Sequence, residues 1–243
     1  MPKIFGHRGA SGYAPENTLE AFELAAKLGA HGVELDVQIT KDGELVVAHD
    51  ETVDRVANDT GFICEKTLAE LRTLRFNKTH PEYVHAEIPT LREVYELLRP
   101  FPMEINVELK NSHIFYKDLA EKCVELAAKT GMTDRVFYSS FNHYSMADMK
   151  RKFPEAVCGV LYEATLVEPW KYAKALGVDA IHPHFTELLV EGEAEKAHSL
   201  GLKVNVWTAN TEEEILSCIR AGADTVITNY PDIGLKALAE SGI

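Results

Sequence analysis

Short apolar runs with a period of two alternate along the chain with longer stretches whose apolar positions recur every three to four residues. The first pattern is typical of β-strands and the second of amphipathic helices. Strands are predicted at residues 3–6, 32–38, 104–110, 135–141, 156–162, 179–184, 203–209 and 225–229. Helices are predicted at residues 17–28, 91–98, 116–129, 145–153, 169–176, 191–200 and 212–221. The predicted order is therefore strand then helix throughout.

Several of the predicted helices end on a glycine that leads directly into the next strand. The pairs Leu28-Gly29, Leu176-Gly177, Leu200-Gly201 and Ala221-Gly222 form this weak internal repeat. Eight predicted strands that alternate with helices in 243 residues fit a closed barrel better than an open doubly wound sheet, for which a glycine-rich nucleotide loop is expected. We therefore predict an α/β fold, with one (β/α)8 TIM-barrel domain over residues 1–243.

One segment interrupts the alternation, because residues 51–89 are far longer than an ordinary strand-to-helix loop. An additional apolar run at 45–48 is predicted to pair with the second strand through the turn Asp42-Gly43. We predict a small insertion after the second strand, at about 51–89, that forms a cap over the barrel mouth. A short capped helix is predicted at 67–71. Surface decoration and substrate contact are equally good interpretations of this insertion.

The composition excludes several classes of function. The formal net charge is −13, whereas a protein that binds a phosphate backbone needs a basic face, so no nucleic-acid partner is expected. No uncharged apolar run reaches membrane-spanning length, and the chain opens directly into a predicted strand. We therefore expect a cytoplasmic protein without stable membrane association. The four cysteines show neither zinc-site nor disulfide spacing.

Carboxylates interrupt the apolar pattern of the second predicted strand. Glu34 and Asp36 alternate with apolar neighbours, so the period of two places both on one face, which points inward in a barrel. Two unpaired anions there would carry a desolvation cost of several kcal/mol each. The pattern therefore indicates that a positive charge shares the barrel interior.

The third predicted strand repeats this alternation with Asn106, Glu108 and Lys110. Glu108 can complete a site of three carboxylates. Oxygen ligands without cysteine favour one divalent cation of the hard class, Mg²⁺ or Ca²⁺. An ion-pair network around Lys110 would explain one such strand, but two such strands in one barrel favour a bound cation.

Candidate catalytic residues follow the predicted strands. His7 ends the first strand and His49 follows the apolar run at 45–48, and catalytic residues of TIM barrels lie at the carboxyl ends of strands. Histidine titrates near neutrality, so two histidines can supply a general acid and a general base. Arg8 offers a planar group of donors for phosphate oxygens. Ser139 and Trp207, which end later strands, are further candidate substrate contacts.

Taken together, these residues resemble the motifs of the glycerophosphodiester phosphodiesterases over essentially the whole chain. The motifs are His7-Arg8-Gly9, Ala14-Pro15-Glu16-Asn17-Thr18, Glu34-Leu35-Asp36, His49-Asp50, Ile88-Pro89-Thr90-Leu91, Glu108-Leu109-Lys110, Ser139-Ser140-Phe141, Trp207-Thr208 and Thr228-Asn229-Tyr230-Pro231-Asp232. The resemblance implies a barrel with an insertion after the second strand. It implies that the cation is held by Glu34, Asp36 and Glu108, that acid/base catalysis comes from His7 and His49, and that phosphate is contacted by Arg8 and Lys110. Ala209 and the pair Val56-Ala57 depart from the family pattern, which bears on substrate choice.

The activity that this resemblance implies is hydrolysis of small glycerophosphodiesters to sn-glycerol 3-phosphate and an alcohol. The nucleophile is either water or the neighbouring glycerol hydroxyl, which would form a cyclic phosphate, and the sequence favours neither. A lysophospholipase D activity on the same site is the nearest alternative, and exposed Phe62, Phe76 and Tyr83 on the cap would support it. A non-catalytic binding barrel and a metal-dependent sugar isomerase fit the motifs less well. The sequence leaves monomer and homodimer both open.

Overall fold

Eight parallel strands form the centre of the computed structural model, which describes residues 1–189 and 192–243. These strands are β1 (Lys3–His7), β2 (Gly32–Ile39), β4 (Glu104–Leu109), β5 (Val136–Ser140), β6 (Cys158–Tyr162), β7 (Ala180–Pro183), β8 (Lys203–Val206) and β9 (Thr225–Thr228). A short strand, β3 (Leu45–Val47), pairs antiparallel with the end of β2, as the apolar run at 45–48 predicted.

The sheet closes because β1 pairs with both β2 and β9. The remaining neighbours pair in parallel in the order β2-β4-β5-β6-β7-β8-β9. This closed parallel sheet, with helices between its strands, confirms the predicted (β/α)8 TIM barrel. All eight carboxyl ends lie at the same end of the barrel, where side chains from different strands can meet.

The helices are α1 (Leu19–Lys27), α2 (Leu68–Leu71), α3 (Leu91–Leu98), α4 (Leu119–Thr130), α5 (His143–Lys152), α6 (Pro169–Leu176), α7 (Glu193–Ser199), α8 (Glu212–Arg220) and α9 (Pro231–Glu240). The bounds of α3 and α6 equal the predicted ones. Glu191, the predicted start of α7, lies outside the described residues. Helix α9 was not predicted, although a proline in the first turn is a usual helix start. No helix in the described ranges is long and apolar enough to cross a membrane.

The segment at 51–89 follows β3 and has an apolar cluster of its own. The buried members of this cluster are Val46, Ala48, Val53, Ala57, Ile63, Leu71, Phe76 and Ile88. Two of them belong to β3 and its continuation, so the insertion packs on the β2–β3 hairpin. As predicted, Thr67 and Glu70 form a capping box that starts α2. The hydroxyl of Tyr83 donates to the backbone oxygen of Tyr13, 3.3 Å away in the β1–α1 loop.

A histidine occupies the barrel interior below the carboxyl ends. His182 on β7 is fully buried, and its Nε2 accepts a hydrogen bond from Nδ2 of Asn205, 3.0 Å away. Gly159 makes room for it, because a Cβ there would lie 2.6 Å from the His182 ring. Burial lowers the pKa of His182 to about 3. The ring therefore stays neutral in the folded protein.

His182 should make the stability of the protein depend on pH. Since its pKa is lower in the folded state than the ordinary 6.5, its contribution is complete above pH 6.5 and is lost as the pH falls towards 3. We expect a loss of about 3 kcal/mol in the free energy of unfolding by pH 4. Urea unfolding of the wild type and of His182→Gln between pH 7 and pH 4 measures this, and the variant should show a shallower fall. Equal slopes in both proteins would contradict the prediction.

Candidate active site

Three buried carboxylates meet inside the barrel at its carboxyl end. Strands β2 and β4 run side by side with Asp36 opposite Glu108, and Glu34 precedes Asp36 by two residues on the same face. One carboxylate oxygen from each of the three lies within 4.8 Å of the others. The alternation of carboxylates along two neighbouring strands is sufficient to bring the three groups together.

The electrostatics of these carboxylates indicate a shortage of positive charge. Burial raises the pKa of Glu34 well above its usual value, and the negative charges of Asp36 and Glu108 add to this effect. Among the described residues, Arg8 and Lys110 are the cations that contact the cluster, so three carboxyl groups share two positive charges. Within the described residues, Oδ1 of Asp36 is buried and accepts no hydrogen bond. An oxygen-only donor set with net negative charge fits a hard divalent cation.

Asn17 holds the other oxygen of Asp36. Its Nδ2 donates to Oδ2 of Asp36 over 2.8 Å, and its Oδ1 accepts from the Asp36 backbone nitrogen over 3.4 Å. This contact depends on a left-handed backbone conformation, with φ +58 at Asn17. The predicted helix included Asn17, but α1 begins at Leu19, which leaves the asparagine free to reach Asp36. Asn17 therefore orients a candidate cation ligand, a role that the sequence analysis did not assign.

His7 lies at the end of β1 with its two ring nitrogens in different surroundings. Nδ1 lies 2.7 Å from the amide oxygen of Asn229 and donates to it. Nε2 then carries the lone pair, and it lies 3.9 Å from Oε2 of Glu34. Burial lowers the pKa of His7, the positive charge of Arg8 lowers it further, and the resulting pKa is about 4. His7 is thus a neutral imidazole that presents a basic nitrogen to the site.

His49 has a different partner, the carboxylate of the next residue. Its Nδ1 lies 2.7 Å from Oδ1 of Asp50. Burial raises the pKa of Asp50, but hydrogen bonds from Arg55 and His49 outweigh it and hold this pKa at about 2. Asp50 is therefore an anion that accepts a hydrogen bond from the Nδ1–H of His49 and fixes the orientation of its ring.

The charges of Arg8 and Lys110 are held within the carboxylate cluster. The backbone nitrogen of Arg8 donates to Oε2 of Glu34 over 3.1 Å, and its Nη1 donates to Oε1 of Glu16 over 2.8 Å. Lys110 Nζ donates to Oε1 of Glu108 over 2.8 Å and lies 3.7 Å from Oδ1 of Asp36. Both cations are thus fixed beside the carboxylates.

A pocket of about 110 Å³ opens onto these groups. Its lining comprises His7, Arg8, Glu34, His49, Asn106, Glu108, Phe141, Leu161, Trp207, Thr208 and Ile227. Part of the pocket wall is apolar, and the Trp207 ring there lies 5.4 Å from that of Phe141 in an edge-to-face arrangement. A larger groove, of about 940 Å³, lies elsewhere and has no histidine in its lining. The small pocket is where His7 and His49 meet Arg8, Glu34 and Glu108.

Comparison with known proteins agrees with this geometry. The model of the glycerophosphoryl diester phosphodiesterase family matches residues 7–233, nearly the whole chain. The chain belongs to this family. The match confirms the resemblance that the sequence motifs indicated, and with it an enzyme of the phosphodiesterase class.

Similar members of the family match over almost their full length. A glycerophosphodiester phosphodiesterase of Caldanaerobacter subterraneus subsp. tengcongensis is 39% identical over 240 residues, which are 98% of each chain. A glycerophosphodiester phosphodiesterase of Bacillus altitudinis is 38% identical over 99% of each chain. A solved Oleispira antarctica phosphodiesterase, in complex with the product sn-glycerol-3-phosphate, has a TM-score of 0.92 at 30% identity, with 98% of this chain and 97% of that chain covered.

Of the predicted substrate contacts, Trp207 lines the pocket, whereas Ser139 is not part of its lining. Nε1 of Trp207 donates to the backbone oxygen of His182 over 2.9 Å. Ser139 lies opposite Glu108 on β5 and is fully buried, and its hydroxyl has no hydrogen-bond partner in residues 1–189 and 192–243. A phosphate contact of Ser139 stays a prediction.

Proposed function

We propose that this chain hydrolyses small glycerophosphodiesters to sn-glycerol 3-phosphate and an alcohol. One observation carries the proposal: His7, His49, Arg8, Glu34 and Glu108 line one pocket at the carboxyl end of the barrel, and Asp36 and Lys110 contact those carboxylates from behind the lining. The product named for the Oleispira antarctica relative supports this substrate class. A pocket of about 110 Å³ suits a small polar group better than a large apolar one.

In this proposal, one divalent cation, Mg²⁺ or Ca²⁺, is held by Glu34, Asp36 and Glu108. Oδ1 of Asp36, which accepts no hydrogen bond from the described residues, and the raised pKa of Glu34 both favour it, because a bound cation would satisfy the oxygen and stabilise the ionised carboxylate. When bound, such a cation neutralises charge on phosphoryl oxygens. Asn17 keeps Asp36 in the orientation that leaves Oδ1 available.

The two histidines divide the acid/base work according to their partners. His7, neutral and paired with an uncharged amide, removes a proton from the nucleophile through Nε2. His49, whose Nδ1 faces the Asp50 carboxylate, donates a proton to the departing alcohol oxygen. Arg8 and Lys110 stabilise the negative charge of the phosphoryl group. Trp207 and Phe141 form the apolar wall against which the substrate lies.

The direct test is release of sn-glycerol 3-phosphate from glycerophosphocholine and glycerophosphoethanolamine with Mg²⁺ or Ca²⁺ present. We expect turnover with at least one of these ions, since the proposed cation ligands are hard oxygens. A coupled assay for sn-glycerol 3-phosphate reports the rate for each headgroup. Absence of product with every headgroup and both ions would reject the proposal.

A lysophospholipase D activity on the same site is a second candidate, and one observation favours it. Phe115, Tyr144 and Val167 follow β4, β5 and β6 at the carboxyl end of the barrel and are 71%, 89% and 92% exposed. Of the cap residues expected to support it, Phe62 is 44% exposed, whereas Phe76 is buried. Lysophosphatidylcholine, assayed in parallel with glycerophosphocholine, separates the two candidates by comparison of kcat/KM.

A further inference from the structure

Arg55 belongs to the insertion and is carried by a tightly held turn. Val53 and Ala57, two residues to either side, are both fully buried in the apolar cluster of the insertion. The backbone nitrogen of Ala57 donates to the oxygen of Val53 over 2.8 Å, which closes the turn. Lys78 and Gly61 add backbone hydrogen bonds to Val56 and Val53. The Cα of Arg55 is therefore fixed relative to the β2–β3 hairpin.

The guanidinium of Arg55 forms hydrogen bonds with two carboxylates, those of Asp50 and Glu16. Nε and Nη2 donate to Oδ2 and Oδ1 of Asp50 over 2.7 and 3.1 Å. Nη1 and Nη2 donate to Oε2 and Oε1 of Glu16 over 2.6 and 2.8 Å. Both pairs are bidentate, a geometry that fixes orientation as well as distance.

Each of these carboxylates holds a group of the proposed active site. Asp50 accepts the hydrogen bond from Nδ1 of His49, and Glu16 accepts from Nη1 of Arg8. Glu16 lies in the loop between β1 and α1, whereas Asp50 follows β3. Arg55 thus connects the proposed general acid with the proposed phosphate ligand, two groups that belong to separate segments of the chain.

We propose that Arg55 is a positioning residue through which the insertion holds His49 and Arg8 in their working orientations. The inference rests on the proposed function, and it makes the insertion part of the active site rather than surface decoration. An exposed single ion pair contributes little, and the Arg55 side chain is 43% exposed. The four hydrogen bonds to two oriented carboxylates distinguish this contact from an ordinary surface pair.

The proposal predicts the behaviour of three variants. Arg55→Ala should lower kcat/KM by roughly 10- to 100-fold, the usual cost of losing a residue that orients active-site groups. Arg55→Lys should keep the melting temperature close to that of the wild type but recover little activity, because one ammonium cannot make two bidentate pairs. Arg75→Ala is the matched control, since Arg75 is exposed on the same insertion and its side chain makes no ion pair in the described part of the chain.

Two readouts separate positioning from a general loss of structure. Millimolar guanidinium added to Arg55→Ala should restore part of kcat by occupying the vacated site, and should not restore His49→Ala. The NMR signal of the Nδ1 proton of His49, assigned by its loss in His49→Ala, should broaden or move in Arg55→Ala and stay unchanged in Arg75→Ala. This second readout needs no substrate.

The combined results of these measurements either support or overturn the positioning role of Arg55. Lowered activity with guanidinium rescue and a changed His49 signal would support the positioning role. Wild-type kcat/KM in Arg55→Ala, or lowered activity without rescue and with an unchanged His49 signal, would overturn it. If the wild type releases no sn-glycerol 3-phosphate, the proposed function fails, and the His49 signal alone decides whether Arg55 orients the histidine.

Discussion

Removal of divalent cations with EDTA is expected to lower the release of sn-glycerol 3-phosphate by on the order of 1,000-fold or more, and Mg²⁺ or Ca²⁺ should restore it. Burial and neighbouring carboxylates raise the pKa of Glu34 and Glu108, so these groups reach their ionised, ligand form most readily beside a cation. Without the cation, the site would lack the charge that neutralises the phosphoryl oxygens. The measurement is the initial rate before chelation, after it, and after each ion is restored.

Asp36→Asn should reproduce the effect of chelation. The amide keeps the shape of the side chain but removes the charge, so we expect much weaker cation binding by calorimetry and a comparable loss of turnover. Asp134→Asn is the matched control, because Asp134 is exposed in the 3-10 turn before β5, at the amino end of the barrel and away from the site. Full turnover of a protein shown by metal analysis to contain no bound cation would contradict the prediction.

The barrel and its carboxylate cluster could be predicted because they depend on local patterns. A period of two along five residues places Glu34 and Asp36 on one face, and the same period places Glu108 on the neighbouring strand. The position of His7 follows as directly, since it ends β1. No contact between distant segments has to be known for these inferences.

The groups that orient these residues could not be predicted from spacing. Arg55 and Glu16 are 39 positions apart, and His7 and Asn229 are 222 apart. Their contacts exist only after the barrel has closed and β9 lies beside β1. Asn17 gave a misleading signal, because a helical pattern extends to it although its backbone is left-handed. Motif membership alone singled out Glu16, Asn17 and Asn229, without a role for any of them.

Errors at the ends of elements have a common physical cause. Arg135 was predicted to begin a strand, but residues Thr133–Arg135 form a 3-10 turn and β5 begins at Val136. The guanidinium of Arg135 reaches the backbone oxygens of Phe101 and Arg99, contacts that hold the turn against the segment before β4. Tertiary hydrogen bonds of this kind override a propensity that is weak at strand ends.

Replacing either histidine of the site with alanine is expected to lower kcat for glycerophosphocholine by on the order of 10²- to 10⁴-fold, the range for a general acid or base. His7 and His49 both line the pocket, and each has its Nδ1 bound to a partner that leaves Nε2 for chemistry. His85→Ala is the matched control, because His85 is exposed on the insertion and outside this pocket. A loss of tenfold or less in either variant would reject an acid/base role for that histidine.

A substrate with a good leaving group should separate the two roles. A glycerophosphodiester of p-nitrophenol releases a stable phenolate that needs no proton, so His49→Ala should lose far less activity on it than on glycerophosphocholine. His7→Ala should lose activity on both substrates, because the nucleophile still requires a base. The contrast follows from the partners of the rings, a carboxylate for His49 and an uncharged amide for His7. Equal losses of His49→Ala on the two substrates would show that His49 does not protonate the leaving group, and a selective loss in His7→Ala would reverse the assignment.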